Sequence, residues 1–146
     1  MILDHTLVLS DQQAITASAA STNVWDTLAV GLPANWVTAR TRDLGHGFAP
    51  IPILVQVTTT FATLTSLKVA VQMDTTAAFS SPTIIAETEE IVAAELVAGY
   101  RFKMIAQLPE GATEQFIRLY YTVAGAAATA GKVLAAVTAG NQTNAW

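Results

Sequence analysis

Apolar residues alternate with polar or small ones along several stretches of the chain. Leu67, Val69, Val71 and Met73 alternate with Lys68, Ala70, Gln72 and Asp74. Ile53, Val55 and Val57 share one face of a run that ends at Thr58. Ile117, Leu119, Tyr121 and Val123 alternate with Phe116, Arg118, Tyr120 and Thr122. Period two is the spacing of a strand with one buried and one wet face. Two weaker runs follow the same rule. One is Tyr100–Leu108, with Phe102, Met104, Ala106 and Leu108 on a face. The other is Lys132–Thr138, with Val133, Ala135 and Val137. The central unit is Leu67–Glu89. Its first strand ends at Asp74-Thr75-Thr76, a turn former, and Ser80-Ser81-Pro82 follows. Phe79 sits between them and is expected to plug the core edge. Thr83–Ala86 is the second strand of the unit.

Turn chemistry separates the strands. Ser10–Gln13 reads as a turn, and Ala14–Ala20 as a weak strand. Thr59–Ser66 reads as a Thr-rich turn region around Phe61 and Leu64, and Ala124–Gly131 as a small-residue loop. Pro109–Ala112 predicts a hairpin between Tyr100–Leu108 and Phe116–Val123. Ile91–Ala98 is a turn with a short helical stretch, stopped by Gly99. Ala29–Leu44 contains Gly31, Pro33 and Asn35, which break any long element, and is expected to be a long surface loop. About eight short strands predict an all-β fold, a jelly-roll-like antiparallel β-sandwich. The 146 residues are expected to form a single domain, with an N-terminal arm at about 1–9 and a C-terminal tail at about 139–146.

Composition narrows the function. Seven Lys and Arg stand against eleven Asp and Glu, a net charge of −4, and the basic residues are scattered. Nucleic-acid binding needs a basic stripe to neutralise phosphates, so no nucleic-acid partner is expected. There is no cysteine, which excludes disulfides and thiolate metal sites. Met1–Leu9 lacks the basic start of a signal peptide, and no strongly apolar run is long enough to span a membrane as a helix. Charged residues make up only 12% of the chain. About 25% is usual for soluble domains, and the shortfall points to a surface covered by other subunits.

Candidate chemistry is sparse. His5 and His46 have no ligand or nucleophile partner at a meaningful spacing, and no nucleophile elbow or phosphate loop is present. Glu87 and Glu89 would share a strand face, a spacing that suits acid/base work or calcium. A short acidic run is more often simply solvated. No catalytic residue, cofactor or metal is expected, and the chain does not read as an enzyme. Contact residues are the remaining candidates. They are Ile2 and Leu3 in the N-terminal arm, Arg40 and Arg42 in the most charged patch of the front half, Trp36 and Trp146. Trp and Arg are enriched where interfaces are strongest. The alternatives are that Trp36 tucks back onto the core and that Trp146 is a disordered end.

Several phrases then line up in order. They are Asp11–Ala17 followed by Ser21–Val24, Arg42–Gly45, and Val71–Asp74 leading to Ala78–Thr83. Leu96–Arg101, Arg118–Val123 and Thr129–Lys132 complete the series. In this order the chain resembles the capsid cement, or decoration, proteins of tailed bacteriophages, from about Leu3 to Val137. The segment Ala29–Thr41 is longer than that pattern. The resemblance implies a jelly-roll sandwich that binds the outer surface of an expanded capsid after assembly in the host cytoplasm. It implies the major capsid protein as partner, self-association as a homodimer or trimer, no membrane, and no enzyme activity. A competing expectation is a carbohydrate- or receptor-binding jelly-roll module of a virion, with Tyr120, Phe116 and Trp36 as an aromatic platform.

Overall fold

The structure, a computed structural model, describes residues 5–32, 35–41, 51–106 and 113–138. A 3-10 turn at His5–Leu7 leads into β1 (Val8–Ala14). Four two-residue strands follow: β2 (Ala19–Ala20), β3 (Trp25–Asp26), β4 (Val30–Gly31) and β5 (Arg40–Thr41). Next come β6 (Ile51–Asp74), β7 (Thr83–Glu87), β8 (Ile91–Val92), β9 (Arg101–Phe102), β10 (Ile105–Ala106) and β11 (Phe116–Val137). Nine strands form one antiparallel sheet, and β4 and β5 form a separate two-stranded one. The all-β class is as the sequence predicts.

The ribbon of β6 and β11 organises the fold. These strands are 24 and 22 residues long and pair from Phe116↔Asp74 to Val137↔Ile53. Thr59–Ser66 and Ala124–Gly131, expected as a turn and a loop, are therefore the middle of two continuous strands. Neither contains proline, and Thr favours the extended backbone. The ladder shifts register four times between Ala124 and Val133. Thr63, Gly125 and Gly131 take positive φ there, at 80°, 82° and 138°. Bulges of this kind bend a strand while keeping its pairing.

The bulged middle divides the ribbon into two halves. In one half β1 flanks β11, while β9 and β10 flank β6. In the other, β2 and β3 flank β11, while β7 and β8 flank β6. Tyr100–Leu108 thus pairs with β6 through Arg101–Phe102 and Ile105–Ala106, not with Phe116–Val123. The partner positions on that end of β11 are already taken by β6, β2 and β3. Both halves give their apolar faces to one core. Ile53, Val55, Val57 and Val133 come from one half; Leu67, Val69, Val71, Ile117 and Leu119 come from the other. Phe61 and Leu64, on the bulged middle, close the core's end.

One hydrogen-bond chain ties the two layers. Tyr121 Oη lies 2.8 Å from Ser10 Oγ, and Ser10 Oγ donates to Gln13 Oε1 at 2.7 Å. Serine has one hydroxyl proton, so the phenol is the donor to Ser10. Gln13 Nε2 continues the chain to the Ala20 carbonyl at 2.8 Å. Burial of Tyr121 pushes its pKa up, only partly offset by the Ser10 bond, and keeps the donor proton in place. Ser10–Gln13, expected as a turn, therefore lies inside bulged β1, with Gln12 at φ 49°.

The second face of the central unit is not wet. Ala70, Gln72 and Asp74 are buried as deeply as a core edge. Phe79 is buried too, but outside the main core cluster. The Arg118 guanidinium sits 4.1 Å over its ring, and Arg118 Nε donates to Gln72 Oε1 at 2.8 Å. Asp74 arranges the loop that carries Phe79. Its Oδ1 accepts from Thr76 N at 3.0 Å and its Oδ2 from Ser81 N at 2.9 Å. These two backbone donors hold its pKa below the ordinary 3.8, against the opposing effect of burial. A carboxylate whose folded pKa is depressed stabilises above its unfolded pKa and loses that contribution as pH falls through the folded value. Acid thermal melts should therefore lose stability below pH 3.8. In Asp74→Asn that part of the slope should disappear, with a lower melting temperature at neutral pH. An unchanged acid slope would refute the role given to Asp74.

Candidate functional site

The separate sheet is a short arm. Val30 pairs with Thr41 and Gly31 with Arg40. Asn35, in the connection, takes φ 66°, a conformation asparagine tolerates better than most residues. The base of the arm is fixed. Thr27 is fully buried, and its N and Oγ1 both donate to the Gln115 carbonyl, at 3.0 and 2.9 Å. Asp26 Oδ1 accepts from Leu28 N and Gln115 Nε2, at 2.9 and 2.7 Å. Gln115 N in turn donates to the Asp74 carbonyl at 3.1 Å. The arm is thus anchored at its root to the end of the central ribbon.

Beyond the root the arm is apolar and open. Val30 is 68% exposed, Leu32 63%, Trp36 51% and Val37 fully exposed at 101%. Val24 and Leu28, just before it, are also exposed. A hollow of about 360 Å³ adjoins them, lined by residues 5–9 and 22–25. Trp25 lines it from the core side, and its Nε1 is buried without a hydrogen-bond partner among the described residues. Apolar surface gathered at one place, rather than scattered singly, marks a contact surface.

A second feature lies on the β6 side of the ribbon. A cleft of about 470 Å³ is lined by Glu87, Thr88, Glu89, Ile91, Tyr100, Phe102 and Lys103. Tyr100 and Phe102 meet edge to face, with centroids 5.3 Å apart. Glu87 pairs with Lys68 at 3.0 Å, while Glu90 accepts from Ser66 Oγ at 3.2 Å. The Tyr100 pKa is raised by burial and then by the charge of Glu95. Among the described residues, no group of three or more His, Asp or Glu side chains is placed to hold a metal ion.

The expected contact residues divide. Trp36 is half exposed on the arm, so it does not tuck onto the core. Arg40 opens β5 opposite Gly31. Ile2, Leu3, Arg42, His46 and Trp146 lie outside the described residues. Of the proposed aromatic platform, Tyr120 and Phe116 are half-buried, and Arg118 covers Tyr120 at 5.8 Å. Glu87 and Glu89 are exposed as an acidic run predicts, yet they border a cleft with two rings. The sequence signal for that cleft was present in the acidic run and in Tyr100-Arg101-Phe102, but the mispaired hairpin kept the two apart.

A family model described as Bbp16 matches residues 9–137. The chain belongs to the Bbp16 family. This family is phage-associated, in line with the resemblance found in the sequence. The Bbp16 match spans β1 through β11, so it takes in the ribbon, the arm and the cleft together. No curated protein matches the chain.

Proposed function

We propose that this Bbp16-family protein is a structural virion protein that binds the outer surface of an expanded phage capsid and cements neighbouring major capsid proteins. The observation that carries the reading is the set of exposed apolar side chains on and beside the arm, namely Val24, Leu28, Val30, Leu32, Trp36 and Val37. It is held out from a rigid all-β body by the Thr27–Gln115 anchor. Such a surface is stable in a virion only when another chain covers it. The phage-associated family supports a virion as the place where that happens.

Cementing needs no chemistry. A ligand that binds the expanded lattice, and not the immature or broken one, stabilises that lattice by its binding free energy. Repetition over many sites multiplies the effect across a particle. The test uses expanded shells lacking this protein. Added protein should bind saturably and raise the temperature at which shells rupture. Val30→Asp with Leu32→Asp places two charges in the contact and should weaken binding by at least about tenfold. Failure of the wild-type protein to bind, with bare shells as heat-stable as complete ones, would end this reading.

A further inference from the structure

Arg118 stands on the outer face of β11, opposite the core face of Ile117, Leu119 and Tyr121. Its guanidinium is held from several sides. The Phe79 ring centre is 4.1 Å away, the Tyr120 ring centre 5.8 Å, and Nε donates to Gln72 Oε1 at 2.8 Å. Phe79 and Gln72 are themselves buried, so the group is fixed in place. A guanidinium has five N–H donors. With Nε engaged, those on the two Nη atoms remain, and among the described residues they have no acceptor.

The charge is not met within the chain either. Among the described residues Arg118 forms no ion pair. The acids on neighbouring strands are committed elsewhere. Asp74 accepts from Thr76 N and Ser81 N, Asp26 from Leu28 N and Gln115 Nε2, and Glu87 pairs with Lys68. The half-buried cation has lost part of its water and has one neutral amide oxygen in return. We propose that the free Nη edge of Arg118 takes an Asp or Glu carboxylate of the major capsid protein. The planar fork matches a carboxylate in two parallel bonds. A polyanion fits poorly, because nucleic acid needs a basic stripe and this chain carries −4. One carboxylate asks for one cation only. The surroundings suit a protein contact. Half-buried Tyr120 lies on the same face, and Ile84, 53% exposed, pairs with Gln72 from β7. Arginine among aromatic and apolar neighbours is the composition of the strongest interface positions. The site also adjoins the arm. Phe116, two residues before Arg118 on the same face, pairs with Asp26 at the arm's root, a step of about 7 Å along the strand. The proposal rests on the cementing reading and names the group on the shell that the protein grips.

The test compares expanded shells lacking this protein with the same shells after carbodiimide and ethanolamine have turned their carboxylates into neutral amides. Wild type should bind the amidated shells at least about tenfold more weakly. Arg118→Gln should bind untreated shells about that weakly, and amidation should cost it little more, since the same contact is already gone. Arg118→Lys keeps the charge without the fork and should recover only part of the loss. A variant that merely loosened the Phe79 loop would instead lose the full amidation factor again. Losses from amidation and substitution that simply multiply therefore overturn the proposal. So does equal binding of wild type and Arg118→Gln to untreated shells. So does wild-type binding that amidation leaves intact, a result that needs no variant to fold. Wild-type protein that binds no shell ends the cementing reading and this one together; binding indifferent to Arg118 and to shell carboxylates ends this one alone.

Discussion

Gly131→Ala is expected to lower the free energy of unfolding by about 2–5 kcal/mol, from backbone strain of about 1–2 and overpacking of about 1–3. Gly131 takes φ 138° in the bulged middle of β11, a backbone conformation that side chains with a Cβ rarely adopt. A Cβ there would also overlap the ring of Phe61. Phe61 cannot swing away cheaply. It is 4% exposed, belongs to the core, and its backbone N donates to the Leu96 carbonyl at 3.0 Å. Two other glycines separate the causes. Gly99 has φ 95° but no atom within 4 Å of a built Cβ, so Gly99→Ala should show the backbone cost alone. Gly31 has neither problem, and Gly31→Ala should fall within about 0.5 kcal/mol of wild type. Urea unfolding followed by tryptophan fluorescence measures all three. Equal midpoints for Gly131→Ala and Gly31→Ala would contradict the packing described for Phe61.

That bulge was the least legible part of the sequence. Period two reports a strand when its faces differ, as at Leu67–Met73 and Ile117–Val123, and there the predicted buried faces are the observed ones. In Ala124–Gly131 the faces do not differ, because nearly every residue is small. The run reads as a loop although β6 holds it in the ladder. Thr59–Ser66 failed for a related reason. Phe61 and Leu64 are spaced by three, which breaks the alternation at the shift in register that lets both point inward. The short strands were hidden differently. Two residues carry no period, so the arm could be read only as irregular chain with a tryptophan. Composition and turn formers left open whether Trp36 faces solvent or the core, and the structure leaves it half exposed. Asp74 was legible as a turn former, but its acceptor role depends on Ser81, seven residues on, and its backbone tie to Gln115 is longer still. The cleft needed the pairing of β9 with β6, a non-local choice that local alternation cannot make.

The largest single loss of stability among polar core positions should come at Tyr121, which sits where the two layers meet. Tyr121→Ala is expected to cost about 3–5 kcal/mol, the range for removing a buried aromatic ring. Tyr121 is fully buried beside Leu9 and Leu119 in the core, so no solvent-exposed rotamer relieves the cavity. Tyr121→Phe keeps the ring and removes only the hydroxyl that donates to Ser10 Oγ across 2.8 Å. It should cost less, about 1–3 kcal/mol, because buried Ser10 loses a donor it cannot replace with water. Ser10→Ala should cost a similar amount by stranding the phenol. It also removes the donor to Gln13 Oε1, though Thr22 N still donates to that oxygen at 3.0 Å. The double variant Ser10→Ala with Tyr121→Phe leaves neither hydroxyl stranded at this junction. Its cost should therefore fall short of the sum of the two single losses by 0.5 kcal/mol or more, within the roughly 0.5–3 kcal/mol typical of directly coupled pairs. Strict additivity in this cycle would mean that the Tyr121 and Ser10 hydroxyls are not coupled, which would contradict the hydrogen bond described between them.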